Sequence, residues 1–251
     1  MKKVFAIALA LLLACASVTA MAETLTMATN AAFPPYEFIG DDGKPTGIDV
    51  EIADAIAKKL GYDGVEVLDM EFDSVVTAVS SGSAMVAMAG LTATPERMNN
   101  VYFTFPYAKG IQSIIVKEGS PIASVDDLFV EGNNYTVGVQ LSTTGDIYST
   151  GDLEDAGLAT ISRFSTGNDA VMALISGKVD CVIIDNEPAK AYVAANEGLT
   201  ILDTNYAEED YAIGISKDNV ELLGKVNAAL QDLIADGTVD SIISKYINAG
   251  E

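Results

Sequence analysis

The segment Ala89-Gly90-Leu91-Thr92-Ala93-Thr94-Pro95-Glu96-Arg97 holds one of only two arginines in the chain, the other being Arg163. Around them stand 36 acidic and 14 basic residues, a formal charge of −22. Such a chain repels anions at long range. An arginine just after small residues and threonines reverses that locally, because its planar guanidinium grips a carboxylate through two parallel hydrogen bonds. The same letters also spell a helix start, with Thr94 as N-cap, Pro95 at the first helical position and Arg97 in solvent. Two more polar groups sit where apolar runs end: Ser142-Thr143-Thr144 after Tyr135–Gln140, and Asp185 after Val179–Ile184. Each has a plainer local reading as a helix cap.

The elements that must hold these groups alternate strand and helix, the pattern of α/β layers. Thr24–Thr29, Val65–Leu68 and Met85–Ala89 read as strands, and the last delivers the chain to Gly90 and Thr92. Ile48, Ile52, Ile56 and Leu60, four apart and followed by Gly61, predict a helix over Asp49–Leu60. A second helix is expected over Asp73–Ser81. Beyond Pro106-Tyr107 the strands are Gln112–Lys117, Tyr135–Gln140, Thr160–Phe164, Val179–Ile184 and Tyr211–Ile215. The helices between and after them are Ser124–Phe129, Asn168–Ser176, Pro188–Asn196, Val220–Ala235 and Val239–Ile247. The arginine segment, Thr143 and Asp185 then all lie just beyond carboxyl ends of strands, where open α/β sheets bind ligands. Two similar units, 23–110 and 112–205, are expected to face each other across a cleft.

Composition removes several classes. Met1–Ala22 reads as a signal peptide, with Lys2 and Lys3 ahead of an apolar stretch too short to span a membrane and Ala20-Met21-Ala22 as a cleavage site. Leu12-Leu13-Ala14-Cys15 also resembles a lipoprotein processing site, so an anchor at Cys15 stays open. Either route exports the chain, to a periplasm or the outer face of the cell membrane. Residues 23–251 keep 12 basic against 36 acidic residues, or −24. That argues against nucleic acid or an anionic membrane as partner. No histidine is present, and Cys181 is the single cysteine after residue 22. No intramolecular disulfide, transition-metal site, cofactor or Ser-His or Cys-His catalysis is expected.

Several blocks, in order, carry a resemblance. They are Ala28 through Phe38, Gly47 through Ile52, Phe72-Asp73, Gly90 through Arg97 with Phe105-Pro106-Tyr107, Gly138-Val139-Gln140 with Thr143-Thr144-Gly145, Ile184-Asp185, and Asp236-Gly237-Thr238. Over 24–248 the chain resembles the bacterial solute-binding proteins of family 3, the extracytoplasmic amino-acid receptors of ABC importers. The resemblance implies a two-lobed α/β fold of the type II periplasmic-binding-protein kind, with the ligand cleft between the lobes. Lobe one would comprise 23–109 plus 210–251, and lobe two 112–205. The two hinge crossings would fall near Tyr107–Gln112 and Ala207–Ala212. It further implies a monomer that closes over a free amino acid and presents it to a membrane permease.

The roles implied are residue by residue. Arg97 would clamp the α-carboxylate, with backbone N–H groups at Thr92 and around Thr143. Asp185 would take the α-ammonium, helped by the Gly90 carbonyl and the Thr92 hydroxyl. Phe33 and Phe72 would wall the ligand side chain, and Asn30, Leu91, Gln140 and Thr144 complete the binding set. A free amino acid is a zwitterion, and burying both charges requires a fixed partner for each. Asn30 stands where many relatives carry aspartate, and Gln140 where some carry a base, so a neutral ligand is preferred. Ser142 replaces a common glycine. The rival is an enzyme on the same scaffold, a dehydratase acting on a carboxylated ring, for which Glu37, Glu71 or Glu187 would be the general acid. A sensor lobe is a third reading.

Overall fold

The computed structural model describes residues 23–247. The leader and the Cys15 alternative lie outside the described residues. Among the described residues no helix is long and apolar enough to cross a membrane.

Two main sheets organise the chain. The first runs, in spatial order, Val65–Asp69, Leu25–Thr29, Val86–Ala87, Gly214–Ser216 and Val101–Phe103. Leu25–Thr29 pairs in parallel with both neighbours, and Gly214–Ser216 runs antiparallel between Val86–Ala87 and Val101–Phe103. Helix Ile48–Leu60 buries Ile48, Ile52 and Ile56 on one stripe with Ala53 and Ala57 between them, places Asp49 and Glu51 in its first turn, and places Lys58 and Lys59 in its last. That charge order suits the helix dipole. Each fully buried isoleucine contributes roughly 1.5–3 kcal/mol relative to leaving it in water. The C-terminal helices Val220–Ala235 and Thr238–Ile247 join the same core through Val226, Leu230 and Val239.

The second sheet runs Ala159–Phe164, Tyr135–Gln140, Cys181–Asp185, Ala108–Lys117 and Leu199–Ile201. Its middle strands are covered on both faces, and side chains alternate between them as the pleat requires. Ile114, Val116, Cys181 and Ile183 pack to one side, and Ile115, Val182 and Ile184 to the other. Cys181 is fully buried, and burial pushes its thiol far above the ordinary range. Strand Ala207–Tyr211 pairs antiparallel with the start of Ala108–Lys117, Tyr211 opposite Ala108 and Ala207 opposite Gln112.

Three differences from the sequence expectations are physical. The strand expected over Tyr211–Ile215 is two strands, Ala207–Tyr211 and Gly214–Ser216, one in each sheet. Between them the Ala212 N–H donates to the Leu91 carbonyl at 2.9 Å, so the chain changes sheets there. The strand expected from Gln112 begins four residues earlier, at Ala108. A small antiparallel sheet of Ala32–Phe33, Glu37–Ile39 and Pro45–Thr46, unmarked by any alternating run, packs beside helix Ile48–Leu60.

Candidate functional site

The carboxyl ends of parallel strands from both sheets converge on one cavity of about 460 Å³, counted out to its mouth. Leu25–Thr29 delivers Asn30 and Phe33, and Val86–Ala87 delivers Ala89 and Gly90. From the other sheet Tyr135–Gln140 delivers Gln140, Thr143 and Thr144, and Cys181–Asp185 delivers Asp185.

The helix-start reading of this segment holds for the cap but not for Arg97, which is not in solvent. Thr94 caps the turn Pro95–Met98 by accepting the Arg97 N–H at 3.2 Å. The side chain nevertheless turns inward and is 7% exposed. Its Nη1 donates to the Thr92 carbonyl and its Nη2 to the Ser142 carbonyl, each at 2.9 Å. The guanidinium lies 5.3 Å from the Phe72 ring centre, within cation–π range. Burial lowers its pKa to about 10, against a smaller opposing pull from Glu209, so it stays cationic at neutral pH. Two of its five donors are used, and both go to neutral carbonyls.

Asp185 is 2% exposed. It stands at the N-cap of helix Asn186–Ala195, yet makes no capping bond of good geometry; its side chain takes a short hydrogen bond from the Tyr211 hydroxyl instead. Burial raises its carboxyl to about 7, the Tyr211 bond opposes that, and Glu209 adds to it. Among the described residues no cation pairs with it.

The far end of the cavity is neutral. Gln140 Nε2 donates to Asn30 Oδ1 at 3.0 Å and to the Ser165 carbonyl at 3.1 Å, while Asn30 Nδ2 donates to the Met70 carbonyl at 2.8 Å. Phe33 and Phe72 line the walls. Gly90 has φ of +53°, and a Cβ there would come within 2.7 Å of the Phe33 ring, so this loop needs glycine for the ring to lie against it. Ser142 adopts the left-handed φ of +63° without being glycine, held by its N–H to Asp146 Oδ2 at 2.9 Å. Thr143 ties the loop through its hydroxyl to the Gln140 carbonyl at 2.8 Å.

Most sequence-expected residues therefore share one cavity. Leu91 and Thr92 do not line it. Leu91 is buried in the core behind, and the Thr92 hydroxyl donates to Glu209 at 3.0 Å. Of the acids expected for an enzyme, none lines it: Glu71 is exposed, Glu187 pairs with Lys190 at 2.7 Å, and Glu37 is sealed beneath Gly90. There, burial and neighbouring Asp49 push the Glu37 carboxyl well up, and neither of its oxygens has a hydrogen-bond partner. Asp49 also accepts the Gly90 N–H at 2.9 Å and the Tyr107 hydroxyl at 2.7 Å. Burial still lifts it to about 6 against those bonds. Sequence reasoning missed Gln112, Glu209 and Tyr211, which all line the cavity from the two connecting strands. The expected crossings contained all three and were their available signal.

The two walls are tied across the cavity by Arg97 to Ser142, by Gln140 to Asn30, and by the Tyr192 hydroxyl to the Ala32 carbonyl at 2.9 Å.

Residues 25–249 match the sequence profile of "Bacterial extracellular solute-binding proteins, family 3". The "Arginine-binding extracellular protein ArtP" of Bacillus subtilis (strain 168) is 34% identical over 242 residues, covering 94% of this chain and 92% of that protein. A solved ancestral arginine-binding protein bound to glutamine is 40% identical with a TM-score of 0.81, covering 89% of this chain and 97% of its own. The same ancestral protein bound to arginine gives 0.82 at 40% identity, with 89% and 98% covered.

Proposed function

The chain belongs to the bacterial extracellular solute-binding proteins, family 3, which bind rather than catalyse, and from that premise we propose that it captures a free amino acid for an ABC importer. One observation carries the reading. Arg97 and Asp185, opposite charges, line a single buried cavity, and each is bonded only to neutral protein groups. A zwitterion supplies the missing partner of each. Its carboxylate lies on Arg97 near Thr143 and Thr144, its ammonium on Asp185, and its side chain runs between Phe33 and Phe72 toward Asn30 and Gln140.

The Asn30–Gln140 amide pair favours a neutral polar side chain of the glutamine kind, since amides can both donate and accept. Arginine is the second reading, favoured by the names of the relatives. Lobe one as 23–109 plus 210–251 and lobe two as 112–205 would then hinge on the paired strands Ala108–Lys117 and Ala207–Tyr211. The ligand must bind the closed form better than the open one for closure to follow. The closed form would be what a membrane permease recognises.

A thermal-shift screen of unfolded, stripped and refolded protein against the free amino acids tests this. A ligand at about 100 times its Kd adds roughly 2.7 kcal/mol and raises Tm by several degrees. Glutamine above arginine is the expected order. No shift with any amino acid overturns the reading.

A further inference from the structure

The cavity wall formed by the connecting strands carries acceptors that the protein leaves unused. Glu209, on Ala207–Tyr211, is 7% exposed, and Gln112, on Ala108–Lys117, is 4% exposed. Glu209 Oε2 accepts from the Thr92 hydroxyl at 3.0 Å and from Gln112 Nε2 at 3.4 Å. Gln112 Nε2 also donates to the Thr144 hydroxyl at 3.3 Å. The other oxygen of each side chain, Oε1, is buried with no hydrogen-bond partner; Thr29 Oγ1 and both Glu37 oxygens share that state, but of these residues Gln112 and Glu209 alone line the cavity. A buried orphan acceptor costs on the order of 1–3 kcal/mol, more when charged, so two on one wall call for a donor from outside the protein. Arg97 does not provide it, because its bonded donors go to the Thr92 and Ser142 carbonyls.

Taking the amino-acid reading above as given, we propose that Glu209 is a further ligand-binding residue and that Glu209, Gln112 and Asp185 together receive the ligand's α-ammonium. An ammonium has three donors and no acceptor. Glu209, Gln112 and Asp185 offer it three acceptors on one wall. The consequence is selection for the ammonium itself: an acid of the same skeleton without it leaves Glu209 Oε1 and Gln112 Oε1 without a donor and Asp185 with the Tyr211 hydroxyl alone. Sites built around such a group reject analogues lacking it by about 10⁴–10⁵-fold.

The arrangement also ties binding to a proton. Burial raises Glu209, opposed by Thr144, Thr92, Gln112 and Arg97; burial raises Asp185, and Glu209 and Glu187 add to it while Tyr211 opposes. Tyr148 also faces Glu209 and Arg97. With Asp185 at about 7 in the empty cavity, the pair keeps a proton just below neutrality. An arriving ammonium displaces it. Affinity therefore falls as pH drops through about 7.

Isothermal titration calorimetry with the amino acid of largest thermal shift tests the proposal, alongside its analogue lacking the α-ammonium. For glutamine that analogue is 4-carbamoylbutanoic acid, and for arginine 5-guanidinopentanoic acid. Wild type is expected to bind the amino acid, to ignore the analogue, and to release part of a proton at pH 6, seen by repeating the titration in buffers of different ionisation enthalpy. Glu209→Gln is expected to weaken binding at least ~10-fold, about 1.4 kcal/mol, and to move the acid-side loss of affinity to lower pH, because Asp185 loses a like-charged neighbour. Unchanged affinity with an unshifted pH profile in Glu209→Gln overturns the proposal. If circular dichroism shows that variant unfolded, wild-type titration decides: no proton release between pH 6 and 7, or equal binding of the analogue, overturns it. Failure of every amino acid to bind wild type is a different result, and sinks the underlying reading instead.

Discussion

Two pairs of buried acids lie on either side of Gly90, and they are answered differently. Beneath the loop, Asp49 receives a backbone N–H from Gly90 and a hydroxyl from Tyr107, while neither oxygen of Glu37 has a hydrogen-bond partner. Within the cavity, Asp185 receives the Tyr211 hydroxyl, and Glu209 keeps an oxygen that nothing answers. Asp49 is answered by the protein, and neither it nor Glu37 lines the cavity, so this pair belongs to the architecture. The second is incomplete, and incompleteness at a buried charge is a requirement for something that arrives later. Burial alone does not separate the two, since all four side chains are buried; the cavity does, because Asp185 and Glu209 line it and Asp49 and Glu37 do not.

Four substitutions would break or sharpen that contrast. Arg97→Ala has the largest expected effect: amino-acid binding falls beyond calorimetric detection, because the ligand carboxylate is left buried and unpaired, while circular dichroism remains that of a folded chain. Asp185→Asn is expected to weaken binding by about 2–5 kcal/mol, the range for losing one partner of a buried charge pair. The same variant should be more stable than wild type when empty. Asp185 is raised to about 7 in the fold from an ordinary 3.8. The folded state therefore holds a proton that the unfolded chain has released, and wild type loses stability as pH rises from about 4 to 7. The Tm advantage of Asp185→Asn should grow over that window and then level off. A stability loss at pH 8 would place Asp185 with the architectural pair.

Asp49→Ala should do the reverse. It orphans the Gly90 N–H and the Tyr107 hydroxyl, each worth about 1–3 kcal/mol when buried and unpaired, so Tm drops by several degrees at pH 7. Affinity should follow only as far as the Gly90 loop moves. An unchanged Tm would show that the lower pair is not structural. Ser142→Gly touches neither pair and has the smallest effect. Relief of the left-handed φ of +63° should add at most about 1 kcal/mol in a denaturant titration, and a destabilised variant would contradict strain at that position.

Legibility from sequence followed sequence distance. Gly90, Thr143 and Asp185 could be read because each lies at or just past a strand's end, so local pattern places it at the sheet's carboxyl edge, and Arg97 because it belongs to the segment that Gly90 opens. Asn30 and Gln140 could be read for the same reason, but not that they bond to each other 110 residues apart. Glu209 is the instructive omission. It is the middle of Glu208-Glu209-Asp210, three acids in a row in an already acidic chain. Strand alternation turns the middle one inward and leaves its neighbours in water. Which of the three turns inward is set by pairing with Ala108–Lys117, a contact about a hundred residues away in the chain. Leu91 shows the converse: it sits inside the arginine segment and faces the core.

The position of Cys181 has a practical outcome. In a chain begun at Glu23 it is the single thiol, it lies in the middle of a covered sheet, and its pKa is driven far up by burial. A thiol of that kind is inert to alkylating dyes. One cysteine introduced on an exposed rim of the cleft can therefore carry a fluorophore alone, without first removing the native one. Closure over a ligand would become an optical signal from an otherwise unaltered molecule.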